Sequence, residues 1–245
     1  MEQSQQHRLE EKPFNNDVVA NKGFLYTTNA PLSSRLANGR LSEIAREKMP
    51  VAGLDLMDVG CGDGTYTLEF LELPVAPRRL VGLDPAAEAV RLASERTKDP
   101  RVSFCVGSAY ELPFAADEFH WAHLRGVLHH MEKPAVAIKE AFRVARQILI
   151  IEPNGYNPVL KVIEKASPYH RQHDERSYTS KKIASWIEAG GGRVVSVSHV
   201  GLVPFFCPAP TARLLKTIEP VVESIPGLRL ISCAVSVIVA QRNEG

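Results

Sequence analysis

Short, almost wholly apolar runs alternate with amphipathic stretches through the middle of the chain, and this rhythm limits the fold more than any other feature. LDLMDV at 54–59, RLVGLD at 79–84, VSFCVG at 102–107, FHWAHL at 119–124 and ILIIE at 148–152 read as buried strands. Between them the spacing predicts helices from about Thr65 to Leu73, Ala86 to Lys98 and Ala135 to Val144. Such alternation implies parallel strands joined by right-handed crossovers. One amphipathic helix precedes the pattern: Leu36, Leu41, Ile44 and Ala45 fall on one side of Leu32–Lys48, and Pro50 ends it.

After residue 152 the rhythm breaks, and Pro153, Pro158 and Pro168 punctuate 153–178. A helix capped by Thr179 or Ser180 runs to the glycines at 190–192. Strands follow at 193–200 and 229–240, pairing antiparallel across a proline-rich insert with a helix from Thr211 to Glu223.

The 245 residues suit one large domain with insertions. Residues 1–22 read as a flexible arm and 23–245 as a single domain, with cap segments at 153–178 and 201–228 over the substrate. Hydrophobic residues make up 44% of the chain, enough for a sizeable core. With 29 Lys plus Arg against 28 Asp plus Glu, no global field points to a nucleic acid or a membrane as partner. The four cysteines form no C-x-x-C pair, so no zinc site or redox dithiol is expected. MEQSQQHRLEEK lacks an apolar core, and no apolar run reaches bilayer length, so the expectation is a soluble, cytoplasmic chain. Oligomeric state is not legible.

Polar residues stand at the carboxyl ends of the first five strands: Asp58, Asp84, Ser108, Arg125 and Glu152. In an open parallel sheet that edge binds ligands. Asp58 opens DVGCGDGT, a turn with Gly60, Gly62 and Gly64 between strand and helix, where glycines admit a ligand to the backbone amides. Asp84 ends the next strand, placed for a ribose. Together these predict a nucleoside cofactor. A dinucleotide fingerprint would need glycine at position 65, where Thr65 stands; this argues against a nicotinamide-dependent oxidoreductase, the first alternative reading.

The D-x-G-x-G-x-G turn resembles motif I of class I S-adenosylmethionine-dependent methyltransferases. VGLDPAAEAVRLA resembles their second motif, VGSAYELPFAADEF their third region, and LRGVLHHMEKPAVAIKEAFRV the segment after strand four in the small-molecule branch (methyltransferase type 11, quinone-biosynthesis-like). The resemblance covers roughly 54–153. It implies an α/β, Rossmann-like fold with a seven-stranded, mostly parallel sheet, helices on both faces, an antiparallel last strand and cap insertions. It implies S-adenosylmethionine as cofactor and S-adenosylhomocysteine as product. The turn with Gly60, Cys61, Gly62 and Gly64 would hold the methionine part, Asp84 and Pro85 would flank the ribose, and Ser108 and Ala109 the adenine. Leu124 and Arg125 would line the methionine end through their backbone, and Asp58 would organise the loop or reach the amino group. Two departures stand out. His120 replaces the usual Asp after Phe119, and no Pro-Gly-Gly turn precedes ILIIE; neither lies against the cofactor.

The sulfonium already activates the methyl group, so the enzyme mainly aligns the acceptor, and a base is optional. His129 and His130, after strand four, are the candidate catalytic groups. Tyr26, Glu152, His170, His173 and Phe205 are candidate substrate contacts, and no metal is expected. Neither an Asn/Asp-Pro-Pro-aromatic motif nor a Pro-Cys pair for nucleic-acid methylation is present. The expected reaction is in-line methyl transfer to a small organic acceptor, oxygen ahead of nitrogen or carbon. A non-catalytic S-adenosylmethionine-binding protein is the second alternative.

Overall fold

The computed structural model describes Thr27, residues 30–166 and residues 176–243. Seven strands form one sheet: β1 (Asp55–Val59), β2 (Arg79–Asp84), β3 (Val102–Val106), β4 (Phe119–Arg125), β5 (Ala145–Pro153), β6 (Gly192–Val200) and β7 (Val235–Arg242). Their order is β3-β2-β1-β4-β5-β7-β6. The first five are parallel, and β7 lies antiparallel between β5 and β6. Strand β6 therefore runs with the first five, and all six end on one edge. The mostly parallel sheet expected from the alternation is what forms.

Both faces are covered, which is why the strands are apolar at nearly every position. On one face Met57, Val81, Ala122, Ile148 and Ile150 pack with Ile138 and Phe142 of the helix Pro134–Val144 and with Ile183 and Ile187 of the helix Ser180–Ala189. On the other, Leu56, Leu80, Trp121, Leu149 and Ile151 meet Leu41, Ile44 and Ala45 of the helix Leu32–Lys48, here α1. Neighbours such as Leu56 and Met57 point to opposite faces, as the period of two requires.

Three expectations change. The last strand starts at Val235, because Pro226–Ser232 is helical. Pro226 sits in the first helical turn, where its fixed φ and missing N–H suit the start, and LRLIS is too short for its apolar pattern to decide between helix and strand. The break after residue 152 contains a helix, Pro158–Ala166, because Asn157 Oδ1 accepts from the Val159 amide (2.9 Å) and so caps it. The helix expected at 65–73 is one α-turn, Thr65–Leu68, followed by a 3₁₀ stretch, Glu69–Glu72. The insert helix spans Ala209–Ser224, close to expectation. The arm at 1–22 lies outside the described residues.

Candidate active site

The Gly-rich turn is folded against the end of β2. The Gly60 and Cys61 amides both donate to the Leu83 carbonyl (2.7 and 3.1 Å), and the Gly62 amide donates to Asp84 Oδ2 (2.8 Å). Two positions require glycine outright. At Gly60, φ is +76° and an added Cβ would lie 2.4 Å from Val127 Cγ2; at Gly64, φ is +75° and a Cβ would lie 2.9 Å from Ala93 Cβ. The turn is thereby pressed between the strand β4 loop and the helix Ala87–Glu95.

Three acids are buried here, each with its own partners. Asp58 Oδ1 faces His123 Nδ1 at 2.9 Å, and Oδ2 accepts from the Thr67 hydroxyl. Asp63 Oδ1 accepts from the Thr65 hydroxyl (2.7 Å), and Oδ2 takes the Arg96 guanidinium (3.0 Å) and the Thr27 hydroxyl (2.8 Å). Among the described residues Asp84 has only backbone donors, Gly62 to Oδ2 and the Ala86 amide to Oδ1 at 2.9 Å. Burial pushes its carboxyl up to about 6, against the pull of those two amides, and nearby Asp58 and Asp63 add to the rise. Each Asp84 oxygen keeps a second lone pair, so the carboxylate can take the two hydroxyls of a ribose. Beside it, burial raises the Cys61 thiol and makes it unreactive.

The other expected cofactor residues sit on the same edge. Pro85 follows Asp84. The Ser108 hydroxyl accepts from the Tyr110 amide (3.1 Å), closing a turn that leads past Ala109. Leu124 is fully buried, so only its backbone could reach a ligand. The Arg125 guanidinium turns away toward α1, donating to Ser42 Oγ (3.0 Å) and Asn38 Oδ1 (2.9 Å) with Tyr66 beneath it. Its side chain ties the helix to the sheet.

Glu152 is wholly internal. Oε1 accepts from the Val127 and Leu128 amides (both 2.7 Å), and Oε2 accepts from the His129 amide (3.2 Å) and lies 2.8 Å from His129 Nδ1. One carboxylate thus fixes the turn Leu128–His130 and the imidazole on it, with the His130 ring 3.8 Å from that of His129. Phe205 packs into the α1 side of the core, and its carbonyl accepts from Ser33 Oγ (2.9 Å). Tyr26, His170 and His173 lie outside the described residues. Among those described, no cluster of three His, Cys, Asp or Glu could hold a metal ion.

His123, Thr67 and Asp63 were not singled out from sequence. The signal was present for His123: it is the second histidine of FHWAHL, set among the buried Trp121, Ala122 and Leu124, and β1–β4 register sets it opposite Asp58.

Residues 57–150 match the family described as "Methyltransferase domain". An uncharacterised methyltransferase of Schizosaccharomyces pombe is 33% identical over 110 residues, 41% of this chain and 37% of that protein. Erythromycin 3''-O-methyltransferase of Saccharopolyspora erythraea is 35% identical over 113 residues, 42% of this chain and 36% of that protein. The chain thus spans well under half the length of these relatives. Among solved structures, an S-adenosylmethionine-dependent methyltransferase of Mesorhizobium loti superposes with a TM-score of 0.59 at 16% identity, covering 82% of this chain and 96% of that one. A 4+2 cyclase, SpnF, superposes with a TM-score of 0.66 at 19% identity, covering 96% and 93%. At such identities the likeness is one of fold. The sequence match to a methyltransferase domain covers residues 57–150, the parallel half of the sheet.

Proposed function

We propose that the chain transfers a methyl group from S-adenosylmethionine to an oxygen atom of a small organic acceptor. The observation that carries this reading is the pair of devices on one edge: a glycine turn fastened to Asp84, and a histidine fastened to Glu152. The cofactor, when bound, supplies a methyl group already made electrophilic by its sulfonium. Asp84 would hold the ribose, the Gly60–Gly64 turn the methionine part, and Ser108 and Ala109 the adenine. These residues fit the group: Gly60, Gly62 and Gly64 all hold positive φ and form a turn without side chains at those positions, and Asp84 retains acceptor capacity.

With Glu152 accepting from Nδ1–H, a neutral His129 carries its lone pair on Nε2, the state a base needs to take a proton from a hydroxyl. Glu152 acts through His129 and is a positioning residue rather than a substrate contact. A hydroxyl acceptor profits from such a base more than an amine does, and the relative from Saccharopolyspora erythraea is an O-methyltransferase by name. The segments 153–178 and 201–228 follow strands that end on the cofactor edge and would bound the acceptor, with Tyr26, His170, His173 and Phe205 as candidate contacts.

Calorimetric titration with S-adenosylhomocysteine and NADH, followed by S-adenosylhomocysteine release over a set of hydroxylated acceptors, tests the proposal. Binding of the first ligand only, with turnover that falls about 10²- to 10⁴-fold in His129→Asn at unchanged cofactor affinity, is expected. NADH binding would return the oxidoreductase reading. Binding without methyl release would favour a non-methylating protein on the same fold, as the cyclase illustrates.

A further inference from the structure

The helices over the cofactor edge carry an apolar stripe that no described element covers. On the helix Ala209–Ser224, Leu214, Ile218 and Val221 are 64%, 42% and 62% exposed. At 100° per residue they fall within an arc of about 60°. The stripe continues through exposed Ile225 to Leu228 and Ile231 of the helix Pro226–Ser232. Single apolar residues are normal on a surface, but a run at helical spacing marks a contact face.

Charge is sorted around this face. Both acids of the first helix turn inward: Glu219 accepts from the Leu202 amide (2.9 Å), and Glu223 from the Gly201 amide (2.9 Å) and Arg40 Nη2 (2.7 Å). Lys216 pairs with Glu219, while Arg213 is exposed and Arg229 partly so. The helix Pro158–Ala166 repeats the arrangement. Asn157 Nδ2 ties its start to the Ser232 and Cys233 carbonyls (3.1 and 3.2 Å). Val159 and Val162 are exposed on the same helix as exposed Lys165, while Glu164 is taken up by the Ser177 amide (2.8 Å) and by Lys161 Nζ (3.0 Å).

We infer that these three helices dock on an anionic lipid bilayer, lying in the plane of its interface. An apolar stripe bordered by cations, with the acids of the same helices consumed inside, is the pattern that interface selects. A second copy would suit it less well, because an isologous contact sets the same cations against one another. Spanning is not involved: among the described residues no helix is long and apolar enough to cross a membrane. The near-neutral net charge of the chain hides this asymmetry, which only the fold reveals. That an amphiphilic acceptor enters the site from the lipid rests on the methyltransferase reading; the docking itself does not.

Flotation of the full chain with vesicles of phosphatidylcholine, with and without phosphatidylglycerol, tests the inference, alongside the Ile218→Glu/Val221→Glu variant. Calorimetry with S-adenosylhomocysteine, without vesicles, checks the fold and the cofactor site separately. Wild type is expected to float with the anionic vesicles and to be released by salt, and the variant to lose at least about tenfold in partition at unchanged cofactor affinity. Failure to float, or equal flotation of the variant, overturns the inference. So does a concentration-dependent dimer that the variant disperses while neither protein floats. Flotation without any cofactor binding would leave the docking standing and remove the methyltransferase reading.

Discussion

Replacing Asp84 by Asn separates stability from cofactor binding, with the two moving in opposite directions. Asp84 is buried, and its carboxyl is raised from the ordinary 3.8 to about 6. The folded state therefore holds the proton more tightly than the unfolded chain does. The contribution of Asp84 to stability is greatest below pH 3.8, falls as the pH rises to about 6, and above that the ionised group costs about 3 kcal/mol. Asp84→Asn removes the charge, but its one oxygen can serve only one of the Gly62 and Ala86 amides, a loss of about 1 kcal/mol. The net gain without ligand at neutral pH is about 1–2 kcal/mol, or about 2–8 °C in Tm for a chain of this size. Binding moves the other way. Two ribose hydroxyls on a carboxylate contribute about 1.5–3 kcal/mol each, and one on an amide about 1 kcal/mol, so S-adenosylhomocysteine affinity should fall by about 2–5 kcal/mol, or about 30- to 5,000-fold. Because ligation needs the ionised form, wild-type affinity should also drop about tenfold per pH unit below about 6, a dependence the variant lacks. Calorimetry across that range, with thermal melts of both proteins, measures every part. If Asp84→Asn binds within about threefold of wild type, or wild-type affinity is flat down to about pH 5, the ribose assignment is wrong.

Three further substitutions probe the frame around the site. Gly60→Ala forces a left-handed alanine, worth about 1–2 kcal/mol, and drives its Cβ into Val127; cofactor binding should be lost, and adding Val127→Ala should recover part of the stability but not the binding, as melts and calorimetry will show. Glu152→Ala strands the Val127 and Leu128 amides at about 1–3 kcal/mol each, so the denaturation midpoint should fall by more than in Glu152→Gln, while both lose turnover through His129. His123→Phe removes the Asp58 partner and should destabilise by about 2–4 kcal/mol, whereas His123→Asn, able to donate to the same oxygen, should lose less in the same denaturation assay.

What the sequence shows of this site follows the range over which each signal acts. The glycine turn and Asp84 are legible because their chemistry is local: a strand, a tight turn and an acid one strand later define a nucleoside site without knowledge of anything else. The α/β order is legible for the same reason, since each strand announces itself. Glu152 is visible as a strand-end acid, but its role is set by three amides on a loop that begins 25 residues earlier in the chain. His123 is hidden because its partner depends on β1–β4 register. Thr65, read from sequence as a missing glycine and a helix start, turns out to hold Asp63. The helix at 158–166 is obscured by counting Pro158 as a breaker when Asn157 makes it a start.

The three buried acids of the turn decide which of them a ligand completes. Asp58 is satisfied by a hydroxyl and an imidazole, and Asp63 by two hydroxyls and a guanidinium. Asp63 is saturated with donors inside the protein, so a ligand could reach it only by displacing one, and Asp58 holds a side-chain donor on each oxygen. Asp84 has neither a cation nor a side-chain donor among the described residues, only two amides, and burial pushes its carboxyl up to about 6. A carboxylate left in that state is destabilised for want of donors, and the donors it wants are neutral, paired and close together. Vicinal ribose hydroxyls meet that description, one on each oxygen beside the amide that the oxygen already accepts from. On this argument cofactor binding lowers the pKa of Asp84 and releases a proton near pH 5–6. Calorimetry in two buffers of different ionisation enthalpy detects that proton, and its absence would put the ligand elsewhere on the edge.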